Sequence, residues 1–288
     1  MSRRWLGLAV GLLGIVLGAC YSLDPFLYKR THLDHYMLSA EGGSPEETVA
    51  PEQIETLEIP VDAHIHIGAA YVKATQQPPQ AYVLYFHGIC CNLDVHIDRV
   101  KRLANLGYDV LAIDYRGWGT STDVTPSEPG LLEDSRAARA WLSARTGLPA
   151  RKLVYYGRSF GAAVATQLAA DTPPAALILE SPFTSVAGLA RDSSNMDLPP
   201  GYLSEGTWDN EARVAALPGV PLLLLHGLQD DFVRPEFSKR LFAVAHEPKR
   251  LVLVPGANHD SVPQLMAFMD VDYQHTLEDF LEFLHTQP

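Results

Sequence analysis

One stretch of the chain decides the fold, and it reads Leu153-Val154-Tyr155-Tyr156-Gly157-Arg158-Ser159-Phe160-Gly161-Ala162-Ala163-Val164-Ala165. A short apolar run predicts a strand, the motif G-x-S-x-G follows it, and the small residues after the motif predict a helix. Gly157 and Gly161 allow the strand and the helix to pass close together, with Ser159 strained at the tip of the turn. An ordinary Gly-Ser turn is the alternative, but the flanking patterns favour a nucleophilic serine beside a helix N-terminus.

The first twenty residues carry the pattern of a secretory signal. A pair of arginines is followed by an apolar run over 5–16 and then by small residues. The run Leu17-Gly18-Ala19-Cys20 resembles the lipobox of bacterial lipoproteins. This resemblance implies that residues 1–19 are a signal peptide and that lipid on Cys20 anchors the chain to a periplasm-facing or outer membrane of the cell envelope. An uncleaved anchor is the alternative, although the run is short for a span of about 20 residues.

The charge balance argues against nucleic acid as a partner. The chain has 34 acidic residues against 22 lysines and arginines, which gives a formal net charge of −12. Binding to phosphates needs a basic face, and none is evident in the sequence. The same composition says nothing about the oligomeric state.

The adjacent residues Cys90 and Cys91 present a choice between two states. Neighbouring cysteines can pair only as a strained vicinal disulfide. We therefore expect two free thiols, buried beside a strand.

Composition also divides the chain into two parts after the signal. Residues 20–52 lack a regular apolar period and contain a Gly/Pro/Glu-rich run at 42–47, which predicts a partly ordered tether. Residues 53–288 are long enough for one large domain with a substantial core.

The domain begins with two alternating stretches, 54–60 and 64–72, which predict an antiparallel hairpin. The second contains His64 and His66, an H-x-H pair that looks like the metal motif of amidohydrolases. Those enzymes need further ligands on later strands of a barrel, and the downstream pattern differs. We therefore predict no metal site, with both histidines on the solvent face of an edge hairpin.

After the hairpin, apolar runs alternate with helical patterns, which predicts a mostly parallel sheet. Two motifs stand at the ends of such runs. The first is Phe86-His87-Gly88 with Asn92, and the second is Asp114-Tyr115-Arg116-Gly117-Trp118-Gly119 with Ser121.

Together with the elbow around Ser159, these motifs resemble the α/β-hydrolase superfamily, and within it the serine hydrolases. The resemblance covers about residues 54–284. It implies a mostly parallel central sheet with helices on both faces, an N-terminal antiparallel hairpin and a small cap at about 188–214. Two preorganised N–H groups, those of Ile89 and Phe160, are expected to form an oxyanion hole. Cys90 and Cys91 stand where small or polar residues are usual in that loop.

The serine needs a base and an acid, and the chain offers both at strand ends. The pattern H-G-x-x-D-x-x-V puts the acid at Asp230, with Asp231 as the solvated alternative. His259 follows a strand and the acid, in a G-x-x-H loop suited to a general base. The order Ser159, Asp230, His259 is the one expected for this fold.

The cap sequence leaves the substrate pocket open to two interpretations. Its apolar residues could line an acyl pocket or could form a plug packed on the sheet edge. The residues proposed for the pocket are Cys90, Tyr202, Leu203 and Trp208.

These features predict a serine hydrolase that cleaves small-molecule carboxylic esters or related acyl compounds through an acyl-enzyme, without cofactor. A peptidase or amidase with the same triad is the nearest alternative, because the triad does not choose between ester and amide. A non-catalytic envelope scaffold on the same fold is the alternative of another class.

Overall fold

The computed structural model describes residue 28 and residues 30–38, 49–194, 206–266 and 273–285. The predicted signal peptide, Cys20, Tyr202 and Leu203 lie outside these residues, as does much of the predicted cap, so the expectations for them stay predictions. Within the described part, no helix has both the length and the apolarity to cross a bilayer.

The described residues form eight helices and ten strands, eight of which make one sheet in the order β10-β9-β8-β7-β4-β5-β3-β2. The strands β4, β5 and β7 to β10 are parallel, and β3 runs antiparallel to both β2 and β5. The strands are β1 Thr31–His32, β2 Ile54–Pro60, β3 His66–Val72, β4 Ala81–Phe86, β5 Tyr108–Ile113, β6 Trp118–Gly119, β7 Val154–Arg158, β8 Ala176–Glu180, β9 Leu222–Gly227 and β10 Lys249–Val254. The helices are α1 Leu93–Asn105, α2 Glu128–Thr146, α3 Phe160–Asp171, α4 Val186–Ser194, α5 Asn210–Ala215, α6 Glu236–Val244, α7 Val262–Met266 and α8 Tyr273–His285.

Helices cover both faces of the sheet, as the resemblance implies, and the α/β-hydrolase fold is confirmed. Side chains on β7 show how the two cores are divided: Tyr155 packs into the core under α2 and α3, and Tyr156 packs into the core under α1 and α8. This alternation follows from the two-residue period of a strand. Each fully buried aliphatic or aromatic side chain contributes roughly 1.5–3 kcal/mol of transfer free energy, which makes the sheet a rigid base for its loops.

The elbow between β7 and α3 has the geometry expected from its glycines. Ser159 adopts φ 54° and ψ −117°, a conformation that L-residues avoid. A methyl group on Gly161 would overlap the carbonyl oxygens of Phe86 and His87, and one on Gly157 would overlap the Gly161 carbonyl. The two glycines therefore let α3 start in contact with the end of β4.

The amphipathic pattern of residues 131–145 predicts a helix that Gly147 stops, and helix α2 begins earlier than this pattern. The Ser127 hydroxyl accepts a hydrogen bond from the Gly130 N–H at 3.2 Å, and proline occupies the first turn. Both are favourable at a helix start, so the helix extends back to Glu128. Its end at Gly147, with φ 72°, is where the sequence places it.

The segment assigned to a tether packs in part against the domain. Strand β1 pairs with β6, and the Tyr36 hydroxyl donates a 2.7 Å hydrogen bond to the buried carboxylate of Asp114. The Asp94 carboxylate accepts the backbone N–H groups of Met37 and Leu38. Composition does not predict these contacts, because they are made by single residues that do not recur at a regular spacing along the chain.

The hairpin of β2 and β3 is confirmed, but the expectation for its histidines is half wrong. His64 is exposed in the turn. His66 is half-buried, because Thr120 and Thr122 of the segment after β6 lie against its ring. Its ring nitrogens lie 3.2 Å from the Thr120 carbonyl oxygen and 3.0 Å from the Thr122 hydroxyl.

The two adjacent cysteines are free, as expected, but they are not buried. Cys90 is exposed and Cys91 is half-buried. Both lie in the turn that leads from β4 to α1 at the edge of the sheet, where Cys91 has φ 68°. The prediction placed both cysteines beside a strand, whereas strand β4 ends at Phe86, before the chain reaches Cys90.

Replacing Gly161 with alanine should destabilise the fold strongly, because the new methyl group meets two backbone carbonyls that cannot rotate away. We expect the free energy of unfolding to fall by about 3 kcal/mol, as measured by urea denaturation. The matched control is Gly147→Ala, where φ is 72° but nothing lies within 4 Å of the added carbon. It should cost only about 1 kcal/mol of backbone strain, and equal losses in the two variants would contradict the close-approach argument.

Candidate active site

The candidate nucleophile, Ser159, is held at the C-terminal edge of the sheet. Its N–H donates to the Glu180 carbonyl at 2.8 Å, and only 5% of the residue is exposed. The side chain stands between β7 and α3, with the free N–H groups of the helix start beside it. Its burial and its backbone conformation restrict the direction of the Ser159 hydroxyl independently of its hydrogen-bond partners.

The structure brings together the three residues predicted to act as a unit. His259, in the loop after β10, has its Nε2 3.0 Å from the Ser159 Oγ. Its Nδ1 lies 2.7 Å from Oδ2 of Asp230, which follows β9. Serine, imidazole and carboxylate thus form one hydrogen-bonded row across three loops of the same sheet edge.

Burial distinguishes the two neighbouring aspartates that the sequence offers. Asp230 is 3% exposed, and its Oδ1 accepts the N–H groups of Phe232 at 3.1 Å and Val233 at 2.8 Å. Asp231 is exposed. The Asp230 carboxylate therefore holds both the backbone of its own loop and the His259 imidazole. Asp231 faces solvent and can do neither.

The charge state of Asp230 follows from its surroundings. Burial by itself raises the pKa of this carboxyl, but hydrogen bonds from His226 and His259 and the Val233 N–H outweigh it and hold the pKa well below its ordinary value. An ionised carboxylate can only accept hydrogen bonds, so His259 carries its proton on Nδ1. Its Nε2 is then free to accept the serine proton.

His226 is a further residue at the candidate site, beyond those predicted from the sequence. It is fully buried at the end of β9, with Nε2 2.7 Å from the Val233 carbonyl and 3.3 Å from Asp230 Oδ2, and with Nδ1 2.7 Å from the Ser238 hydroxyl. Because Nε2 faces two acceptors, it carries the ring proton, and His226 therefore helps to hold the Asp230 carboxylate in place. Its position as the first letter of H-G-x-x-D was the signal that could have identified it.

The loop expected to supply the second oxyanion donor lies against the serine. The Cα of Gly88 is so close that an added methyl group would lie 3.6 Å from the Ser159 Cβ. Two buried contacts hold this loop: the His87 Nε2 lies 3.0 Å from the Asp114 carboxylate, and the Tyr115 hydroxyl donates to the His87 carbonyl at 2.8 Å. Among the described contacts, neither the Ile89 N–H nor the Phe160 N–H has a protein acceptor. Both remain candidates for the oxyanion hole.

Of the two roles left open for Trp208, the structure supports packing. The indole is fully buried, lies 4.9 Å from the Phe160 ring and donates to the Tyr28 hydroxyl at 3.3 Å. Trp208 therefore packs against the first residue of α3 and does not face solvent. Cys90, in contrast, is exposed at the loop beside Ser159.

Phe232 is an exposed aromatic residue at the site that the sequence motifs did not indicate. Its ring packs edge-on against the His259 imidazole at 5.1 Å between centroids, although 58% of the residue is exposed. An exposed ring in this position offers an apolar surface to whatever approaches the serine. In the part of the chain that the structure describes, no cluster of three or more His, Cys, Asp or Glu side chains is arranged to hold a metal ion.

Comparisons with known proteins agree with this architecture. A family model described as "Serine aminopeptidase, S33" matches residues 77–196. The uncharacterized protein Rv2307c of Mycobacterium tuberculosis is 38% identical over 202 residues, 70% of each chain. The lysophosphatidylserine lipase ABHD12 of Danio rerio is 31% identical over 241 residues, 75% of this chain and 62% of that one. The esterase domain of a Rhodothermus marinus protein superimposes with a TM-score of 0.55 at 26% identity, covering 72% of this chain and 89% of that one.

A mostly parallel sheet that carries a serine on a strand–helix elbow defines a class of hydrolase folds. With this fold and these relatives, the chain belongs to the α/β-hydrolase superfamily. Its similarity to Rv2307c extends over most of the domain, beyond the segment that the family model matches.

The depressed pKa of Asp230 predicts a pH-dependent contribution to stability. A carboxyl with a depressed folded pKa stabilises the fold fully above its unfolded pKa of about 4, and this contribution is lost as the pH falls through the folded pKa. The difference in free energy of unfolding between wild type and Asp230→Asn should therefore be largest above about pH 5 and shrink below about pH 4. Urea denaturation across this range measures it, with exposed Asp231→Asn as a control that should change stability little. A difference that stays constant with pH would contradict the assignment.

Proposed function

We propose that this protein is a serine hydrolase that cleaves carboxylic esters of small acyl substrates. The single observation that carries the proposal is the row of Ser159, His259 and Asp230, with contacts of 3.0 and 2.7 Å. The order of hydroxyl, imidazole and carboxylate along this row is the one that a nucleophile, a base and an acid need.

In the proposed first step, the Ser159 Oγ attacks the substrate carbonyl while the His259 Nε2 takes the hydroxyl proton. Asp230 keeps the imidazole in the tautomer that can accept this proton and stabilises the imidazolium that forms. His259 then gives the proton to the leaving alkoxide, which departs as an alcohol. Water attacks the acyl-enzyme in the second step, with His259 again as the base, and the acid product leaves.

Negative charge on the carbonyl oxygen would be stabilised by the Phe160 N–H at the start of α3 and by the Ile89 N–H in the facing loop. The packing of Gly161 against the end of β4, and of Gly88 against Ser159, supports a hole whose two donors are in place before the reaction. Preorganised donors of this kind are worth about 3 kcal/mol each in the transition state.

The choice between ester and amide rests on the comparisons, because the triad serves both. A lipase and an esterase domain are among the relatives, and this supports ester cleavage. The description of the matching family model, a serine aminopeptidase, supports peptide cleavage as the second candidate. Parallel assays with p-nitrophenyl esters and aminoacyl p-nitroanilides separate the two, and a preference for the anilides would replace the ester proposal.

Substituting Ser159 with alanine should abolish the chemistry and leave the fold intact. We expect hydrolysis of short p-nitrophenyl esters to fall by at least about 10⁴-fold, and labelling by a fluorophosphonate to disappear. Ser143→Ala, a half-buried serine on α2, is the matched control and should label and turn over like the wild type.

Two outcomes would contradict the proposal. Normal labelling of the Ser159→Ala variant would move the nucleophile elsewhere. No labelling and no hydrolysis by the folded wild type would instead favour a non-catalytic scaffold on a hydrolase fold.

The exposed ring of Phe232 should contribute to the binding of apolar substrates. Phe232→Ala removes the surface beside His259, so we expect KM for p-nitrophenyl esters of medium chain length to rise about tenfold, corresponding to about 1.4 kcal/mol of lost apolar contact. The KM for the acetate should change less. Leu228→Ala, an exposed apolar side chain of the same loop, is the control, and an unchanged KM profile in Phe232→Ala would show that the ring does not contact substrate.

A further inference from the structure

The residue before the serine is a buried arginine, which the proposed reaction does not use. Arg158 ends β7 and is 3% exposed. Its side chain lies on the face of the sheet covered by α1 and α8, the same face as Tyr156. A guanidinium group in this position has lost most of its water and must be compensated by fixed partners.

The partners of Arg158 include two of the loops that form the site. Its Nη2 donates to the His259 carbonyl at 3.1 Å and also contacts the Asp260 carboxylate. Its Nη1 lies against Gly88, 3.1 Å from the position that a methyl group would occupy there. One planar group thus contacts the loop of the base and the oxyanion loop, and it is covalently adjacent to the nucleophile.

A second arginine and a buried glutamate complete the cluster. The Glu180 Oε1 accepts two hydrogen bonds from Arg99 at 3.1 Å and forms an ion pair with the Arg158 Nε at 3.6 Å. Arg99 also donates to the Asp260 carbonyl at 2.6 Å, and the Tyr156 hydroxyl donates to Glu180 at 2.7 Å. Burial by itself raises the pKa of Glu180, but the two arginines outweigh it and keep the pKa below its ordinary value. The carboxylate is therefore ionised.

The charges of this cluster balance, because two guanidinium groups face the carboxylates of Glu180 and Asp260. Buried ion pairs contribute little net stability, since desolvation cancels most of the attraction. They do fix geometry, because removing any one charge leaves the others uncompensated. Both arginines donate hydrogen bonds to backbone carbonyls of the loop that carries His259, so the fixed geometry of the cluster also fixes that loop.

We propose that Arg158 is a positioning residue, which holds the His259 loop and the oxyanion loop at the distances that catalysis by Ser159 requires. Arg99 and Glu180 act with it by fixing the guanidinium and the neighbouring Asp260 carbonyl. The proposal rests on the proposed serine hydrolase function. It assigns a role to the variable second residue of G-x-S-x-G, which the motif itself leaves open.

The test compares the full-length wild type with Arg158→Met, which keeps the volume of the side chain and removes its charge and hydrogen bonds. Misplacement of a catalytic group by about 1 Å costs roughly 100-fold. We therefore expect kcat for p-nitrophenyl acetate, and the rate of fluorophosphonate labelling, to fall by about this factor while KM changes less than about twofold.

The pH profile supplies a readout that a merely structural role would not move. Loss of the Arg158 charge leaves the carboxylates of Glu180 and Asp260 less compensated beside His259. This favours the protonated imidazole, so the acidic limb of kcat/KM should shift to higher pH in Arg158→Met. Arg158→Lys keeps the charge without the planar fork, so it should restore the position of the limb but recover only part of kcat.

Two further variants keep the test decisive. Asp260→Ala removes a side chain that is 79% exposed, so it should fold normally, and we expect kcat to fall several-fold. Arg116→Met is the matched control, because Arg116 makes a comparable 2.7 Å pair with fully buried Asp134. It should lower the unfolding temperature but leave kcat and the pH profile of the folded enzyme unchanged.

The outcomes separate the two proposals. A folded Arg158→Met with wild-type kcat and pH profile would overturn the positioning role and leave the hydrolase proposal standing. If Arg158→Met does not fold, an unchanged kcat in Asp260→Ala would overturn it. A wild type that neither labels nor hydrolyses would overturn both.

Discussion

The close approach of helix α3 to the end of strand β4 is the constraint on which the rest of the site depends. Only hydrogen atoms fit at positions 157 and 161, because the carbonyls of Phe86, His87 and Gly161 occupy the space that side chains would need. This contact sets the strained backbone of Ser159, the direction of the first N–H of α3 and the distance to the Gly88 loop at the same time. The positions of the candidate nucleophile and of its candidate oxyanion donors thus follow from one packing contact, and the sheet cores on both faces supply the stability that holds it.

The histidine depends on long-range contacts in a way the serine does not. Its loop after β10 is held from one side by Asp230, which His226 braces, and from the other by the arginines at 99 and 158. Carboxylates and guanidinium groups converge on a few backbone carbonyls and on one imidazole. The His259 loop is therefore held between a buried carboxylate on one side and a charge-balanced cluster of arginines and carboxylates on the other.

Much of the fold and of the candidate site could be predicted from the sequence, and the reason is physical. A strand, a tight turn and a helix each leave a local signature, so the elbow, the hairpin and the strand ends that carry Asp230 and His259 were all placed correctly. The start of helix α2 was predicted too late, because the capping residue Ser127 sets it and lies outside the apolar pattern of the helix. The free state of Cys90 and Cys91 was predicted and their burial was wrong, because burial depends on where a turn leaves the sheet and not on the apolar run before it.

The sequence by itself determined the class of fold and the chemical types at the strand ends, because local backbone preferences and motif spacing are properties of neighbouring residues. Only the tertiary structure decided which groups support them. Tyr36 reaches Asp114 from a segment with no apolar period, and Trp208 packs behind Phe160. Arg158 meets a histidine loop that lies about a hundred residues further along the chain. Such contacts depend on side-chain direction and loop path in the folded chain, which no local pattern encodes.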